Sequence, residues 1–368
     1  MNIRSIKLHH IKMPLKTPFS THLETVTERE GIIIEVTGKD GVKGYGESVA
    51  FTSPWYTEET VKTCWHMMVD FLIPLLRDNM PSTPHDTANI FRKYRGNLMA
   101  KAGMESAFWD LAAKRKGMPL FQYIGGVGES IPAGVVIAGK TINDSLNQIE
   151  FYLSEGFTRV KVKISPENDI KLIQIIRRHF PDLDLMADAN SAYTLQDAER
   201  LLALDEFDLL MVEQPLAHDD IIEHAKLQKL IRTPICLDES ITSFESARKA
   251  IELGSCGVMN IKAGRVGGLG PAMKIHDYCR EHDIPVWCGG MIEFGVSRAH
   301  SIALASLPGF TIPGDISGSS RYWEQDIIMP EIEVKHGRIL IPSSPGIGFE
   351  IHERRLAEVT QFTEEYFM

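Results

Sequence analysis

The chain has 368 residues, 43% hydrophobic and 24% charged, the composition of a soluble globular protein with room for one large domain and a smaller one. Its 39 basic residues against 49 acidic ones give a formal net charge of −10 with no long basic run, which removes the electrostatic footprint of nucleic-acid binding. No apolar run reaches the roughly 18–20 residues that span a bilayer, the N-terminus M-N-I-R-S-I-K-L-H-H-I-K lacks the apolar core of a signal peptide, and the five cysteines are scattered without a C-x-x-C pair. A cytoplasmic protein with reduced thiols and no membrane partner is expected.

Residues 1–58 read as an antiparallel sheet. Ile3 to Lys12 alternate, G-I-I-I-E-V-T (31–37) forms a second strand, G-K-D-G (38–41) turns, and V-K-G-Y-G-E-S-V (42–49) returns. The polar segment T-P-F-S-T-H-L-E-T-V-T-E (17–28) between the first two strands reads as a mobile loop. Thr57 is a candidate N-cap for a helix running to Leu72. Helical periodicity continues over 88–95 and 99–115, with Met104, Phe108 and Leu111 on the apolar face. Strands followed by helices predict an α+β domain over 1–125 that caps or lids the rest.

From Ile131 strands and helices alternate strictly. Strands are expected near 132–137, 158–163, 183–187, 208–212, 233–237, 257–261, 284–288 and 309–312, with helices near 142–155, 167–179, 194–203, 218–229, 243–253, 267–282 and 295–306. Eight strands with seven intervening helices predict an α/β fold, a (β/α)7β TIM-like barrel over 126–316; a doubly wound open sheet shares this alternation and is the runner-up. The glycine-rich G-R-V-G-G-L-G (264–270) does not have dinucleotide-site spacing. The segment 317–368 is expected to return to the capping domain, with I-E-V-K-H-G-R-I-L-I-P (332–342) packing on its sheet.

Five apolar runs carry charges that a buried strand would avoid: V-K-V-K-I (160–164), L-M-A-D-A-N (185–190), L-L-M-V-E-Q (209–214), I-C-L-D-E-S (235–240) and V-M-N-I-K-A-G (258–264). Lys161 and Lys163 share one face of a strand, and the other face must be apolar to meet helices, so both lysines point inward. Mutual repulsion and desolvation are expected to lower their pKa values. Asp188, Glu213 and Asp238 close three successive strands and would repel unless a cation sat among them. An all-carboxylate set suits a hard ion, Mg²⁺ or Mn²⁺, with Asn190 and Glu239 flanking these residues to orient a lysine or a ligand. Lys262 closes strand six, opposite Lys163 in a ring of eight. A carboxylate bound at the metal would then have a lysine on each side of its α-carbon, an arrangement for α-proton abstraction.

The array K-V-K, D-A-N, V-E-Q-P, L-D-E-S, N-I-K-A-G-R-V-G-G and V-W-C-G-G-M-I-E resembles the enolase superfamily, muconate-lactonising subgroup. Across most of its length the chain is also similar to the o-succinylbenzoate synthase and N-acylamino acid racemase family, through G-Y-G-E-S-V-A-F, W-Y-T-E-E-T, K-A-G-M-E-S-A-F-W-D-L and P-G-D-I-S. The resemblance implies Mg²⁺ on Asp188, Glu213 and Asp238, Lys163 as base, and Lys161 beside it stabilising the enediolate. It implies Lys262 as a cation near the ring in dehydration, or as the second acid/base in racemisation. The reaction it implies is dehydration of 2-succinyl-6-hydroxy-2,4-cyclohexadiene-1-carboxylate to o-succinylbenzoate, a step of menaquinone synthesis, with N-succinylamino acid racemisation as the alternative. The partner is a small carboxylate, and a homo-oligomer is a family-level expectation. Phe19, Phe51 and Trp55 from the capping loops and Gly290, Met291 and Ile292 from strand seven are candidate substrate contacts. Phe294 departs from the smaller residue of the family pattern and would alter the acyl preference if it faced the pocket.

Overall fold

Alternating apolar residues at the N-terminus build a sheet whose two faces have different partners. In the computed structural model, which describes residues 1–20, 24–139 and 141–368, β1 (Ile3–Ser20), β2 (Thr25–Gly38) and β3 (Lys43–Ser48) pair antiparallel. Ile32, Ile33 and Ile34 are all fully buried, because Ile32 and Ile34 face the helices while Ile33 joins the cluster of the following domain. The expected loop over 17–28 is largely strand instead: β1 and β2 pair out to Phe19 with Val26 and Ser20 with Thr25, while Thr21, His22 and Leu23 lie outside the described residues.

The helix expected from Thr57 begins later. Thr60, extended at φ −125°, caps α1 (Val61–Met67): its hydroxyl accepts from the Thr63 N–H and the Thr63 hydroxyl accepts from its own N–H. A bridge between Phe51 and Thr60 fixes that start, leaving Trp55 and Tyr56 in the loop before it. After a π turn, α2 (Ile73–Asp78), α3 (Pro84–Phe91) and α4 (Leu98–Arg115) follow. Met104, Phe108 and Leu111 are buried as expected, but α4 is buried on every side from Met99 to Ala113. It can approach β3 because Gly44 and Gly46 carry no side chain: a Cβ on Gly46 would lie 2.1 Å from the Gly103 carbonyl oxygen.

Beyond α5 (Leu120–Tyr123) and β4 (Ser130–Pro132) the strands run parallel, each followed by helix. They are β5 (Val135–Ile137), α6 (Ile142–Ser154), β6 (Arg159–Lys163), α7 (Asp169–His179), β7 (Asp184–Asp188), α8 (Ala198–Ala203) and β8 (Val212–Glu213). Then come α9 (Ile222–Gln228), β9 (Ile235–Leu237), α10 (Phe244–Leu253), β10 (Val258–Ile261), α11 (Ala263–Val266), α12 (Leu269–Glu281), β11 (Val286–Cys288) and α13 (Gly295–Ala305). The seven strands β5 to β11 lie side by side in chain order, a curled sheet rather than a doubly wound one. The eighth strand expected near 309–312 is reduced to contacts. Phe310 bridges Val286 on one edge strand, Gly314 bridges Ala133 beside the other, and the Asp315 N–H donates to the Cys288 carbonyl.

Alternate residues on these strands separate into two clusters. Val160, Val162, Leu185, Ala187, Val212, Ile235, Leu237 and Ile261 pack outward against helices, whereas Met186, Met211, Cys236, Val258 and Trp287 pack together inside. The residues two further along the inner rows are Asp188, Glu213, Asp238 and Asn260, so the apolar inner layer is the floor on which the charged layer stands.

After β12 (Ile328–Met329), the tail makes two separate returns. β13 (Arg338–Leu340), from the segment expected on the N-terminal sheet, pairs with β4 instead. The strand that does reach that sheet comes after β14 (Glu350–Ile351) and α14 (Glu353–Val359): β15 (Thr360–Phe367) pairs antiparallel with β1. Among the described residues no helix is long and apolar enough to cross a membrane.

Candidate active site

Because side chains alternate on a strand, Lys161 and Lys163 rise on the inner face of β6 above Trp287. Lys161 Nζ lies 5.1 Å from the centre of that ring, and the Arg159 guanidinium 5.2 Å. Lys161 Nζ is 2.9 Å from Glu213 Oε2, 3.2 Å from Asp188 Oδ2 and 2.5 Å from Asp315 Oδ2. Burial works against its charge, but Asp315, Glu213 and Asp188 outweigh burial and hold its pKa above the ordinary lysine value. The expected lowering is therefore corrected for Lys161: the repulsion between lysines is smaller than the attraction of Asp188, Glu213 and Asp315, the last of which the sequence did not place beside it.

Lys163 stands further out, its side chain 38% exposed, donating to Asp188 Oδ2 at 2.6 Å and to Asn190 Oδ1 at 2.5 Å. Asn190 in turn donates to Glu239 Oε1 at 3.1 Å, so the flanking pair steers the lysine through the Asn190 amide. Across the sheet Lys262 Nζ donates to Asp238 Oδ2 at 2.8 Å and to the Tyr56 hydroxyl at 2.9 Å. Burial opposes its charge too, and Tyr56, Glu213 and Glu239 more than offset that. Burial likewise opposes the charge on Asp188, but Lys163 and Lys161 keep its carboxyl well below the usual carboxylate range. For Glu213 burial wins, reinforced by repulsion from Asp188, and its pKa rises.

One open cavity brings most of the candidates together. Lys161, Lys163, Asp188, Asn190, Asp238 and Lys262 line its polar end; Phe19, Phe51, Trp55, Met291 and Ile292, with Gly290, line the rest. Glu213 sits deeper, under Lys161 and the Asn260 amide, and Glu239 opens onto an adjoining cavity behind Trp55 and Tyr56. Phe294 does not line the cavity. It is fully buried, stacked on Trp323 with ring centres 4.9 Å apart, and its edge abuts Gly31, where a Cβ would lie 2.8 Å away. Its size is absorbed by the core.

Sequence reasoning missed Asp315, Tyr56 and Tyr322, which also line the cavity, and Arg265. Asp315 ends the eighth strand position and bridges Lys161 to Arg159; its P-G-D-I-S motif was visible, but a strand so irregular gives no period to place a side chain inward. Arg265 pairs with Asp238 from the turn after β10. Its inward direction depends on a helical turn four residues long.

The acids suit a hard cation in kind. Asp188, Glu213 and Asp238 are buried carboxylates at the ends of three neighbouring strands, and Glu239 Oε2 is a buried oxygen without a hydrogen-bond partner. As arranged here they are drawn to Lys161, Lys163, Lys262 and Arg265, and among the described residues no three His, Cys, Asp or Glu side chains form a metal-holding group. Holding a cation would mean exchanging some of these ammonium contacts for it.

Comparison with known proteins gives this geometry a context. Residues 3–125 match the mandelate racemase / muconate lactonizing enzyme N-terminal domain, and residues 144–355 match the enolase C-terminal domain-like family. An o-succinylbenzoate synthase from Geobacillus stearothermophilus is 55% identical over 367 residues, covering 100% of this chain and 98% of its own. An N-succinylamino acid racemase from Thermus thermophilus is 43% identical, covering 95% of each chain. The crystal structure of an enolase-superfamily member from Listeria innocua superposes with a TM-score of 0.97 at 42% identity, covering 100% of this chain and 99% of that one.

Proposed function

Since the chain belongs to the mandelate racemase / muconate lactonizing enzyme family of the enolase superfamily, we propose that it is an o-succinylbenzoate synthase, dehydrating 2-succinyl-6-hydroxy-2,4-cyclohexadiene-1-carboxylate. The observation that carries this is the 55% identity to an o-succinylbenzoate synthase over the whole chain, and the pair Lys163 and Lys262, on strands four apart in the sheet and lining one cavity with a row of carboxylates between them, supports the chemistry. In this reading residues 1–125 and 317–368 close over a barrel of residues 126–316.

Members of the superfamily generally use Mg²⁺. Here Asp188, Glu213 and Asp238 would hold it, and when bound it would supply positive charge to the substrate carboxylate and compete with the lysines for the acids. As the base, Lys163 Nζ takes the proton α to the carboxylate. The Lys161 ammonium, held charged by Asp315, stabilises the negative charge that develops on the carboxylate oxygens. The C–O bond to the ring hydroxyl then breaks, Lys163 returns its proton to the departing oxygen, and water leaves as the ring becomes aromatic. Lys262 remains an ammonium beside the ring, held by Asp238 and Tyr56. Incubating the purified protein with Mg²⁺ and the cyclohexadiene carboxylate tests this: turnover is expected, with none from Lys163→Ala, and normal turnover by that variant would remove the base assignment.

A second reading, N-succinylamino acid racemase, is favoured by the same opposed lysines and by the racemase relative. One lysine would remove the α-proton and the other would deliver one to the opposite face, their roles exchanging with substrate handedness. N-succinyl-phenylalanine should then exchange its α-proton in D2O; no exchange with either enantiomer eliminates this activity.

A further inference from the structure

Arg29 stands apart from the row of acids and lysines. It rises from β2 and is 1% exposed. Its Nε donates to the Ile292 carbonyl at 2.9 Å, Nη1 to the Ala50 carbonyl at 2.6 Å, and Nη2 to the Val49 carbonyl. The guanidinium carbon lies 4.2 Å from the centre of the Phe51 ring. Burial lowers its pKa to about 10, against the pull of Glu47 and Glu293, which leaves it charged at neutral pH.

These contacts join two walls of the cavity that belong to different domains. Ala50 leads into Phe51 on the capping side, and Ile292 belongs to the loop after β11; Phe51 and Ile292 both line the cavity. A planar fork with five donors can serve both backbones and keep a face for the ring, which a lysine cannot. The same seam is held by Gly31, on the same face of β2, against Phe294, and by Glu47, which accepts from the N–H groups of Phe294 at 2.9 Å and Ser297 at 2.7 Å.

We infer that Arg29 is a positioning residue for substrate choice: it fixes Phe51 relative to Ile292 and so sets the width of the apolar end of the cavity. The carboxylate and the reacting carbon belong at the polar end, between the lysines, so the apolar end receives the arm distal to them. This inference rests on the function proposed above.

The test compares wild type, Arg29→Lys and Arg29→Met on N-succinyl-phenylalanine and N-acetyl-phenylalanine by α-proton exchange in D2O, alongside backbone amide hydrogen exchange. For the succinyl substrate KM is expected to rise about tenfold in either variant with kcat within about threefold, while KM for the shorter acetyl substrate changes less than about twofold. Amide protection over 49–56 and 289–294 is expected to fall in both segments together, a readout that needs no turnover. Equal changes for the two substrates, a fall in kcat at constant KM, or unchanged protection would each overturn the inference. Wild type that exchanges neither substrate would count against the exchange activity, and the amide measurement would still decide Arg29. Should Arg29→Met fail to fold, Arg29→Lys, which keeps the charge and loses the fork, carries the comparison.

Discussion

Lys161 and Lys163 are two residues apart on one strand and both serve the reaction, yet only the replacement of Lys161 by alanine should be costly to stability. Lys161 is buried and is the shared partner of Asp188, Glu213 and Asp315. Removing it leaves Asp188 with Lys163 and Asp315 with Arg159 but takes the ion-pair partner from buried Glu213, a loss of about 3–5 kcal/mol. At about 2 cal/mol/K of unfolding entropy per residue, 4 kcal/mol spread over 368 residues lowers Tm by about 5 °C. Lys163 is more than a third exposed and its partner Asp188 keeps Lys161, so Lys163→Ala should cost about 0–1 kcal/mol and move Tm by about 1 °C. Loss of the base should nonetheless lower kcat by about 10²–10⁴-fold or more. The folded pKa of Lys161 lies above its unfolded value, so its stabilisation is fully present below about pH 10.4 and is lost only as pH rises through the folded pKa. The Tm gap between wild type and Lys161→Ala should therefore stay constant from pH 6 to about pH 9. Calorimetry and steady-state kinetics on the two variants, with one metal concentration throughout, measure all of this. Equal Tm losses in the two variants, or a gap that closes within that pH range, would refute the assignment of Lys161 as the charged hub.

Other outcomes follow from single residues. Lys262→Ala should abolish racemisation of N-succinyl-phenylalanine while leaving α-proton exchange of one enantiomer, seen by NMR in D2O; loss of exchange for both enantiomers would contradict two separate bases. Glu105, buried on α4, accepts from the Leu269 and Gly270 N–H groups at the start of α12 and from the Trp109 indole, so Glu105→Ala should cost about 2–3 kcal/mol in urea titrations. Gly46→Ala would place a Cβ 2.1 Å from a backbone oxygen, and little soluble protein is expected. Burial, helped by Lys7, pushes His9 down to about 4. A lowered folded pKa means its neutral form stabilises the fold above about pH 6.5, and this is lost as pH falls toward 4, about 3 kcal/mol in all. His9→Gln should flatten that part of the acid-unfolding curve.

The barrel was legible because inward charges interrupt apolar runs at a spacing near 25 residues, so periodicity and chemistry pointed to the same face. What stayed hidden was set by distant contacts. Thr57 reads as the cap in sequence, but the bridge from Phe51 to Thr60 and the bonds between Thr60 and Thr63 start the helix later, which puts Trp55 and Tyr56 at the cavity. Phe294 looked like a substrate contact, but Gly31, far away in the chain, makes room for it in the core. The apolar 332–342 is the stronger sequence candidate for the return to the N-terminal sheet, because β15 is mostly exposed and carries little hydrophobic signal. Lys161 shows the same limit in electrostatics: two adjacent lysines predict a lowered pKa until Asp315 is placed beside them and the contacts to Glu213 and Asp188 are close.

The central claim is tested most directly by measuring kcat/KM for dehydration of the cyclohexadiene carboxylate and for racemisation of N-succinyl-phenylalanine side by side, with Mg²⁺ and after its removal by chelation. A synthase should dehydrate with the larger kcat/KM, lose both activities on chelation and regain them when Mg²⁺ is restored. Racemisation without dehydration, or dehydration that survives metal removal, would contradict the account.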